Sequence, residues 1–190
     1  MSQQKKFKKI AITGHTSGIG QGLFNYFESQ GHDVCGYSRS NGYALPDAQD
    51  KILELVQDVD IFVNNALPIS SQIYFINQLW PKWQQLDKTI LVIGTIAAHF
   101  QTSVDAEFAE YQHQKQMLNT LCNRLRYDNF PNQHQCRLIA IHPGFTYTNI
   151  FPPDYPMPDQ HLVMSVQDVV NTVDLVLDSP LKIEDISFRK

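Results

Sequence analysis

Length, composition and charge are those of an ordinary globular chain: 190 residues, 43% of them hydrophobic, with 15 lysines and arginines against 19 aspartates and glutamates and a formal net charge of −4. That balance argues against a protein that coats nucleic acid, and no run approaches the roughly 20 apolar residues that span a membrane. A chain of this length suggests a single domain (1–190). Cys35, Cys122 and Cys136 are widely spaced without a Cys-x-x-Cys pair, which predicts a reduced, cytoplasmic protein without a zinc or disulfide framework.

The first predicted element is a strand that leads through a glycine-rich turn into a helix. The apolar run Ile10-Ala11-Ile12 precedes the turn Thr13 to Gly20, and the helix carries Leu23 and Phe27 before it ends at Gly31. Glycines at these intervals let the backbone turn sharply and approach a pyrophosphate, which the free amides of the helix face. By itself, the pattern also fits a glycine-rich hairpin turn.

The second predicted strand, Val34 to Tyr37, ends at Ser38 and Arg39. In a dinucleotide-binding fold this position, roughly 20 residues after the glycines, contacts the adenosine ribose. An acidic side chain would bind the 2′-hydroxyl of NAD there, whereas the guanidinium of Arg39 suits a 2′-phosphate. The pattern therefore favours NADP (NADPH) over NAD, and the alternative is an exposed arginine near a turn.

A helix and a buried strand are predicted next. Pro46 suits the first turn of the helix, whose apolar face comprises Ile52, Leu55 and Val56. The run from Asp60 to Ala66 is continuously apolar between polar ends, as in a strand covered on both faces. Strands that alternate with helices predict an α/β fold with a doubly wound parallel sheet, the Rossmann fold.

The centre of the chain allows two interpretations. Ile73 to Leu86 is predicted as a helix that is interrupted or begins again near Pro81, although Ile73 to Ile76 alone also fits a strand. The run Thr89 to Ile93, which ends at Gly94-Thr95, is counted as the fifth strand.

A long helix is predicted from about Val104 to Tyr127. Tyr111 and Lys115 are four residues apart on it and therefore share a face. Alone, such a pair is usually an amphipathic surface pair. The next strand, Arg137 to Ile141, is broken by Pro143-Gly144.

The C-terminal part begins with a proline-rich loop. The four prolines from Phe151 to Pro158 exclude a helix or an interior strand, and we expect this segment, with the residues up to Met164, to cover the ligand site at the carboxyl edge of the sheet. Ser165 is predicted to cap a helix over Val166 to Leu177. Ile183 to Phe188 is predicted as the final edge strand.

Four motifs in this order give the chain a resemblance to a known family: TGHTSGIG at Thr13–Gly20, NNA at Asn64–Ala66, YQHQK at Tyr111–Lys115 and PGFTYT at Pro143–Thr148. Over nearly its whole length the chain resembles the short-chain dehydrogenases/reductases. The resemblance implies hydride transfer between NAD(P) and a small-molecule carbonyl or alcohol. It also implies that Tyr111 is the catalytic acid/base, that Lys115 is its partner, and that Thr95 replaces the usual serine.

The resemblance also implies a cofactor site. The residues that it assigns to cofactor binding come from the four motifs and from the end of the second strand: Gly14, Thr16, Ser17, Gly18, Ile19, Gly20, Ser38, Arg39, Asn64, Asn65, Ala66, Tyr111, Lys115, Pro143, Gly144 and Thr148. Leu67 stands where the family usually has a glycine. Only about thirty residues separate Asn65 from Thr95, fewer than is usual in the family, so we expect the asparagine that holds a proton-relay water in many members to be missing. Asn77 falls too late in its helix to take that role.

The catalytic assignment also follows from the chemistry of these side chains. A phenol with a pKa near 10 is a poor proton donor and acceptor near neutral pH unless its anion is stabilised, and a lysine ammonium one helical turn away lowers that pKa. The hydroxyl of Thr95 can donate to the same substrate oxygen. His99, His113 and His142 are interpreted as surface or loop histidines rather than as catalytic or metal-binding groups.

The sequence therefore predicts an NADP-dependent carbonyl reductase. One alternative is an NADP-binding regulatory or sensor protein without turnover. Another is a nucleotide-sugar epimerase or dehydratase, although such enzymes usually need an added substrate domain. The identity of the substrate and the oligomeric state stay open, and a homo-oligomer is compatible with the sequence.

Overall fold

A computed structural model of the chain describes residues 8–100, 105–128, 134–148 and 158–190. The strands in these ranges are β1 (Lys9–Thr13), β2 (Asp33–Tyr37), β3 (Ile61–Asn64), β4 (Thr89–Ile93), β5 (Arg137–Pro143) and β6 (Asp185–Phe188). These six strands form one parallel sheet in the order β2-β1-β3-β4-β5-β6. The strand order reverses between β1 and β3, and open sheets bind ligands at the carboxyl ends of the strands at such a point.

Five α-helices within the described ranges cover the sheet: α1 (Gly18–Ser29), α2 (Gln49–Leu55), α3 (Ile69–Trp83), α4 (Ala106–Tyr127) and α5 (Val166–Asp178). Because successive strand residues point to opposite faces, Ile10 and Ile12 pack with α1 and α5, while Ala11 packs with α2, α3 and α4. The predicted α/β fold with a doubly wound parallel sheet is confirmed. Among the described residues, no helix is both long and apolar enough to cross a membrane.

Two predicted helix ends are confirmed in detail. Gly31 follows α1 with a φ of 79°, a left-handed conformation that glycine adopts without a steric penalty. The Ser165 hydroxyl caps α5 by accepting the amide N–H of Asp168 at 3.1 Å, and the Asp168 carboxylate accepts the Ser165 N–H at 2.7 Å.

The central segment is a helix and not a strand. Residues Ile73–Ile76 lie inside α3, which continues without interruption through Pro81. Leu79 and Trp83 on this helix are buried against the sheet, and this burial stabilises the last turn although proline cannot donate a backbone hydrogen bond there. Consequently Thr89–Ile93 is the fourth strand of the described sheet, and the prediction of a fifth was wrong.

Other element boundaries also differ from the prediction. Helix α2 begins only at Gln49, so Pro46 precedes it, and Leu55 is 48% exposed while Val56 fills the core. Helix α4 begins at Ala106, where the Asp105 carboxylate accepts the N–H of Phe108 at 2.8 Å. Most of the predicted proline-rich loop, residues 151–157, lies outside the described residues. From residue 158 onward the chain forms a short 3-10 helix, 160–162, and residue 164 then pairs with residue 146.

Candidate active site

The glycine turn and the NNA motif are joined by one buried hydroxyl. Thr13 Oγ1 accepts the backbone N–H of Asn65 at 3.0 Å and that of Ala66 at 3.1 Å, and it donates to the Val63 carbonyl at 3.3 Å. The Asn65 side chain returns a hydrogen bond to the Thr13 carbonyl at 3.0 Å. The glycine-turn motif contains Thr13, but the sequence does not assign it to the site, because its role depends on contacts with the neighbouring strand.

Replacing Thr13 with valine should lower the free energy of unfolding by about 1 to 3 kcal/mol, because two partly buried amides lose their acceptor. Valine has nearly the same shape as threonine, so packing is preserved. Urea denaturation measures the change, and Thr13→Ser, which keeps the hydroxyl, is the control. Equal loss of stability in the serine and valine variants would contradict this role.

The geometry of the glycine turn fits a pyrophosphate. Gly14 and Gly18 have φ values of 71° and 53°, which favour glycine, and a Cβ on Gly20 would lie 2.2 Å from the Gly14 carbonyl oxygen. Helix α1 starts at Gly18, so its first amides lack intrahelical acceptors. Within the described residues, the Ser17 side chain makes no capping hydrogen bond. Thr16 and Ser17 are exposed, whereas Ile19 packs against the core.

The end of β2 lies beside this turn. Thr13 pairs with Tyr37 in the sheet, and the Gly14 N–H donates to the Tyr37 carbonyl at 2.7 Å. Ser38 therefore follows directly alongside the turn, where its N–H donates to the Asn41 side chain at 2.9 Å. Arg39 begins a short 3-10 helix and is exposed to solvent.

The segment after β5 returns to the same edge. Pro143 ends the strand, and the Gly144 N–H donates to the Phe188 carbonyl at 2.8 Å. A Cβ on Gly18 would lie 3.2 Å from the Thr148 methyl carbon, which places Thr148 over the start of α1. The structure thus brings the PGFTYT motif to the glycine turn.

The three predicted catalytic residues also lie together. The side chains of Thr95 and Tyr111 lie near each other, and Thr95 Oγ1 accepts the Ala97 N–H at 3.2 Å. The ammonium nitrogen of Lys115 lies 6.0 Å from the centroid of the Tyr111 ring. Thr95 follows β4 and the other two share a face of α4, so the sheet edge and one helix turn build this cluster.

Burial shifts both titratable groups toward their neutral forms. It raises the pKa of Tyr111 above its ordinary value, and the neighbouring Thr95 hydroxyl offsets part of that rise. Burial lowers the pKa of Lys115 to about 7. Tyr111 therefore holds its proton at neutral pH, and burial makes the Lys115 ammonium easier to deprotonate than that of an exposed lysine.

Gln72 contacts this cluster, although the sequence did not predict it as a site residue. Lys115 Nζ donates to the side-chain oxygen of Gln72 at 2.9 Å and to the Ile93 carbonyl at 2.9 Å. Gln72 is fully buried and exchanges two hydrogen bonds of 2.8 Å with Asn64, whereas Asn77 is exposed on α3. Gln72 directly precedes the segment for which a helix and a strand both fitted, and a glutamine there carries no local signal of such a role.

One histidine prediction was wrong. His99 and His113 are exposed, but His142 lies in β5 and is 2% exposed. Its Nε2 atom is 3.2 Å from an Asp185 carboxylate oxygen, and its ring centroid is 4.9 Å from that of His99. Gly94 provides the space for this ring, since a Cβ there would lie 2.5 Å from His142 Nδ1.

Known structures match the chain, although no protein-family model and no curated protein sequence does. A short-chain dehydrogenase from Burkholderia cenocepacia in complex with NADP has a TM-score of 0.76 at 16% identity, over 98% of this chain and 90% of its own. A short-chain dehydrogenase/reductase from Vibrio parahaemolyticus has a TM-score of 0.70 at 17% identity, over 94% of this chain and 95% of its own. The 3-alpha-hydroxysteroid dehydrogenase from Pseudomonas sp. B-0831, complexed with NADH, has a TM-score of 0.71 at 20% identity, over 95% of this chain and 94% of its own. The predicted resemblance is confirmed at the level of the fold, which is that of the short-chain dehydrogenases/reductases.

Proposed function

We propose that the chain is an NADP-dependent oxidoreductase that interconverts a small carbonyl compound and its alcohol. The observation that carries the proposal is the Thr95–Tyr111–Lys115 cluster at the same sheet edge as the glycine turn. Structures of similar fold that are named as dehydrogenases contain NADP or NADH, which supports a nicotinamide cofactor.

Residues of this chain fit the parts of such a cofactor. The first amides of α1 and the Ser17 hydroxyl would hold the pyrophosphate, and Ser38 with Arg39 would hold the adenosine ribose and its 2′-phosphate. The remaining proposed contacts would line the cofactor from the sheet edge: Asn64, Asn65, Ala66, Lys115, Pro143, Gly144 and Thr148. When bound, the nicotinamide supplies the hydride in reduction and accepts it in oxidation.

The side chains of Thr95, Tyr111 and Lys115 provide the proton transfer. In carbonyl reduction Tyr111 donates its phenolic proton to the substrate oxygen, and the Thr95 hydroxyl donates a hydrogen bond to the same oxygen. The Lys115 ammonium stabilises the phenolate that remains, and Tyr111 regains a proton from solvent. Alcohol oxidation reverses these transfers.

A screen of small aldehydes and ketones with NADPH and with NADH tests the proposed function. The expected result is a substrate-dependent loss of reduced-nicotinamide absorbance. NADPH binding without turnover across the panel would overturn the enzymatic proposal and favour a regulatory NADP-binding protein. Because several classes of small carbonyl fit this chemistry, the panel should span aliphatic, aromatic and hydroxylated compounds.

Arg39 is expected to determine the choice of cofactor. NADPH should bind more tightly than NADH by about 1 to 3 kcal/mol, since the guanidinium can donate charge-assisted hydrogen bonds to a phosphate. Arg39→Asp should narrow or invert this preference in fluorescence titrations. Arg124→Asp, which changes an exposed arginine on α4, is the matched control. Equal affinities of the parent for both cofactors would refute this assignment.

A further inference from the structure

The Lys115 ammonium is buried against neutral acceptors. Its side chain is 4% exposed, and it donates to the Gln72 side-chain oxygen and to the Ile93 carbonyl, each at 2.9 Å. A neutral oxygen stabilises a buried cation less than a carboxylate does, so the charge of this lysine depends closely on each acceptor. An ammonium has three N–H donors, and these two contacts leave one for a ligand.

The orientation of the Gln72 amide is imposed by its surroundings. Its side-chain nitrogen donates to the backbone carbonyl of Asn64 at 2.8 Å, and the Asn64 side-chain nitrogen donates to the backbone carbonyl of Gln72 at 2.8 Å. A flipped amide would direct its oxygen at the Asn64 carbonyl and its N–H groups at the Lys115 ammonium. Both contacts would be repulsive, so the side-chain oxygen of Gln72 is held toward Lys115.

Few titratable groups face Lys115. Tyr111 and Cys122 lie on its own helix, and burial raises the pKa of the Cys122 thiol to about 12, so that thiol is neutral. From α3 and β4 the contacting groups are the Gln72 amide and the Ile93 carbonyl, both uncharged. Gln72 is therefore the contacting side chain whose replacement most directly changes the polarity around the ammonium.

We propose that Gln72 is a positioning residue that holds Lys115 charged and oriented toward Tyr111. For its catalytic consequence the proposal rests on the proposed function. The effect of Gln72 on the charge and orientation of Lys115 can be measured whether or not the protein turns over a substrate. Asn64 supports Gln72 from the end of β3, so the NNA motif acts on the reaction centre through this glutamine as well as by lining the cofactor.

The pKa of Lys115 in the cofactor-free protein provides the direct test. It is measured by NMR titration of protein with ¹³C-labelled lysine, and the Lys115→Met spectrum identifies the signal. Gln72→Met removes the acceptor at nearly constant size and should lower this pKa by at least about 1 unit. Gln72→Glu keeps an oxygen toward the ammonium, so the pKa should equal or exceed that of the parent. Ser71→Ala removes a buried hydroxyl one residue away and should leave the pKa unchanged.

A second readout comes from the pH dependence of carbonyl reduction. As pH rises through the pKa of Lys115 the ammonium is lost, so activity should fall, and Gln72→Met should move this fall to lower pH. If Gln72→Met does not fold, Gln72→Asn, whose shorter side chain withdraws the oxygen, takes its place. A Lys115 pKa in the Met or Asn variant equal to that of the parent would overturn the proposal. A shifted pKa in a protein that reduces no carbonyl would support this inference and refute the proposed function.

Discussion

Replacing Tyr111 with phenylalanine is expected to lower turnover by at least about 10²- to 10⁴-fold while NADPH binding stays near that of the parent. The substitution removes only the phenolic oxygen, which lies near the Thr95 hydroxyl. The ring keeps its packing against the core and against Phe108, and the proposed phosphate contacts lie at the glycine turn. Steady-state kinetics with a carbonyl from the screen, together with NADPH titration, measure both effects.

A control for this substitution lies on the same helix. Tyr127→Phe removes the same atom from an exposed tyrosine whose hydroxyl is 3.4 Å from Glu184, and it should leave turnover unchanged. If Tyr111→Phe reduces the carbonyl as fast as the parent, Tyr111 is not the proton donor. If both variants lose activity equally, the loss comes from α4 as a whole and not from the reacting hydroxyl.

Replacing Gly20 with alanine should weaken NADPH binding by about 10- to 100-fold. The new Cβ would lie 2.2 Å from the Gly14 carbonyl oxygen and 2.6 Å from the Asn65 side-chain nitrogen. To relieve these contacts, α1 must move away from the turn at a cost of about 1 to 3 kcal/mol, and a tenfold change in affinity corresponds to about 1.4 kcal/mol. The amides proposed to hold the pyrophosphate move with the helix.

Fluorescence titration measures this loss, and circular dichroism with urea denaturation shows whether the variant is folded. Gln21→Ala changes the next, exposed residue of α1 and should leave affinity unchanged. An unaltered affinity in the folded Gly20→Ala variant would show that the start of α1 does not hold the cofactor.

Local sequence was sufficient to predict a feature wherever local backbone geometry limits which residue types can occur there. Gly14 and Gly18 occur in the turn because their φ values are positive, and the spacing of Tyr111 and Lys115 places them on one face of any helix. The alternation of apolar strands and amphipathic helices was likewise enough to predict the doubly wound sheet, since each element must bury one side. These features depend on residues within a few positions of each other.

The segment Ile73–Ile76 shows where local pattern becomes ambiguous. Four successive residues of this kind fit the period of a strand and that of a buried helix equally well. In the structure the segment is helical, and α3 buries Leu79, Trp80 and Trp83 beyond it. The choice between the two periods therefore depended on packing against the sheet and on residues outside the ambiguous run.

From the sequence alone came the fold class, the glycine turn, and the grouping of Thr95, Tyr111 and Lys115 that the family resemblance implied. Only the tertiary structure showed the contacts of the buried polar groups: Lys115 donates a hydrogen bond to Gln72, 43 positions away in sequence, and His142 is buried beside Asp185. The physical reason is that a parallel sheet brings the carboxyl ends of strands distant in sequence to one edge. Each buried polar group at this edge contacts whichever group lies nearest in space. The spacing of residues along the chain does not predict which group that is.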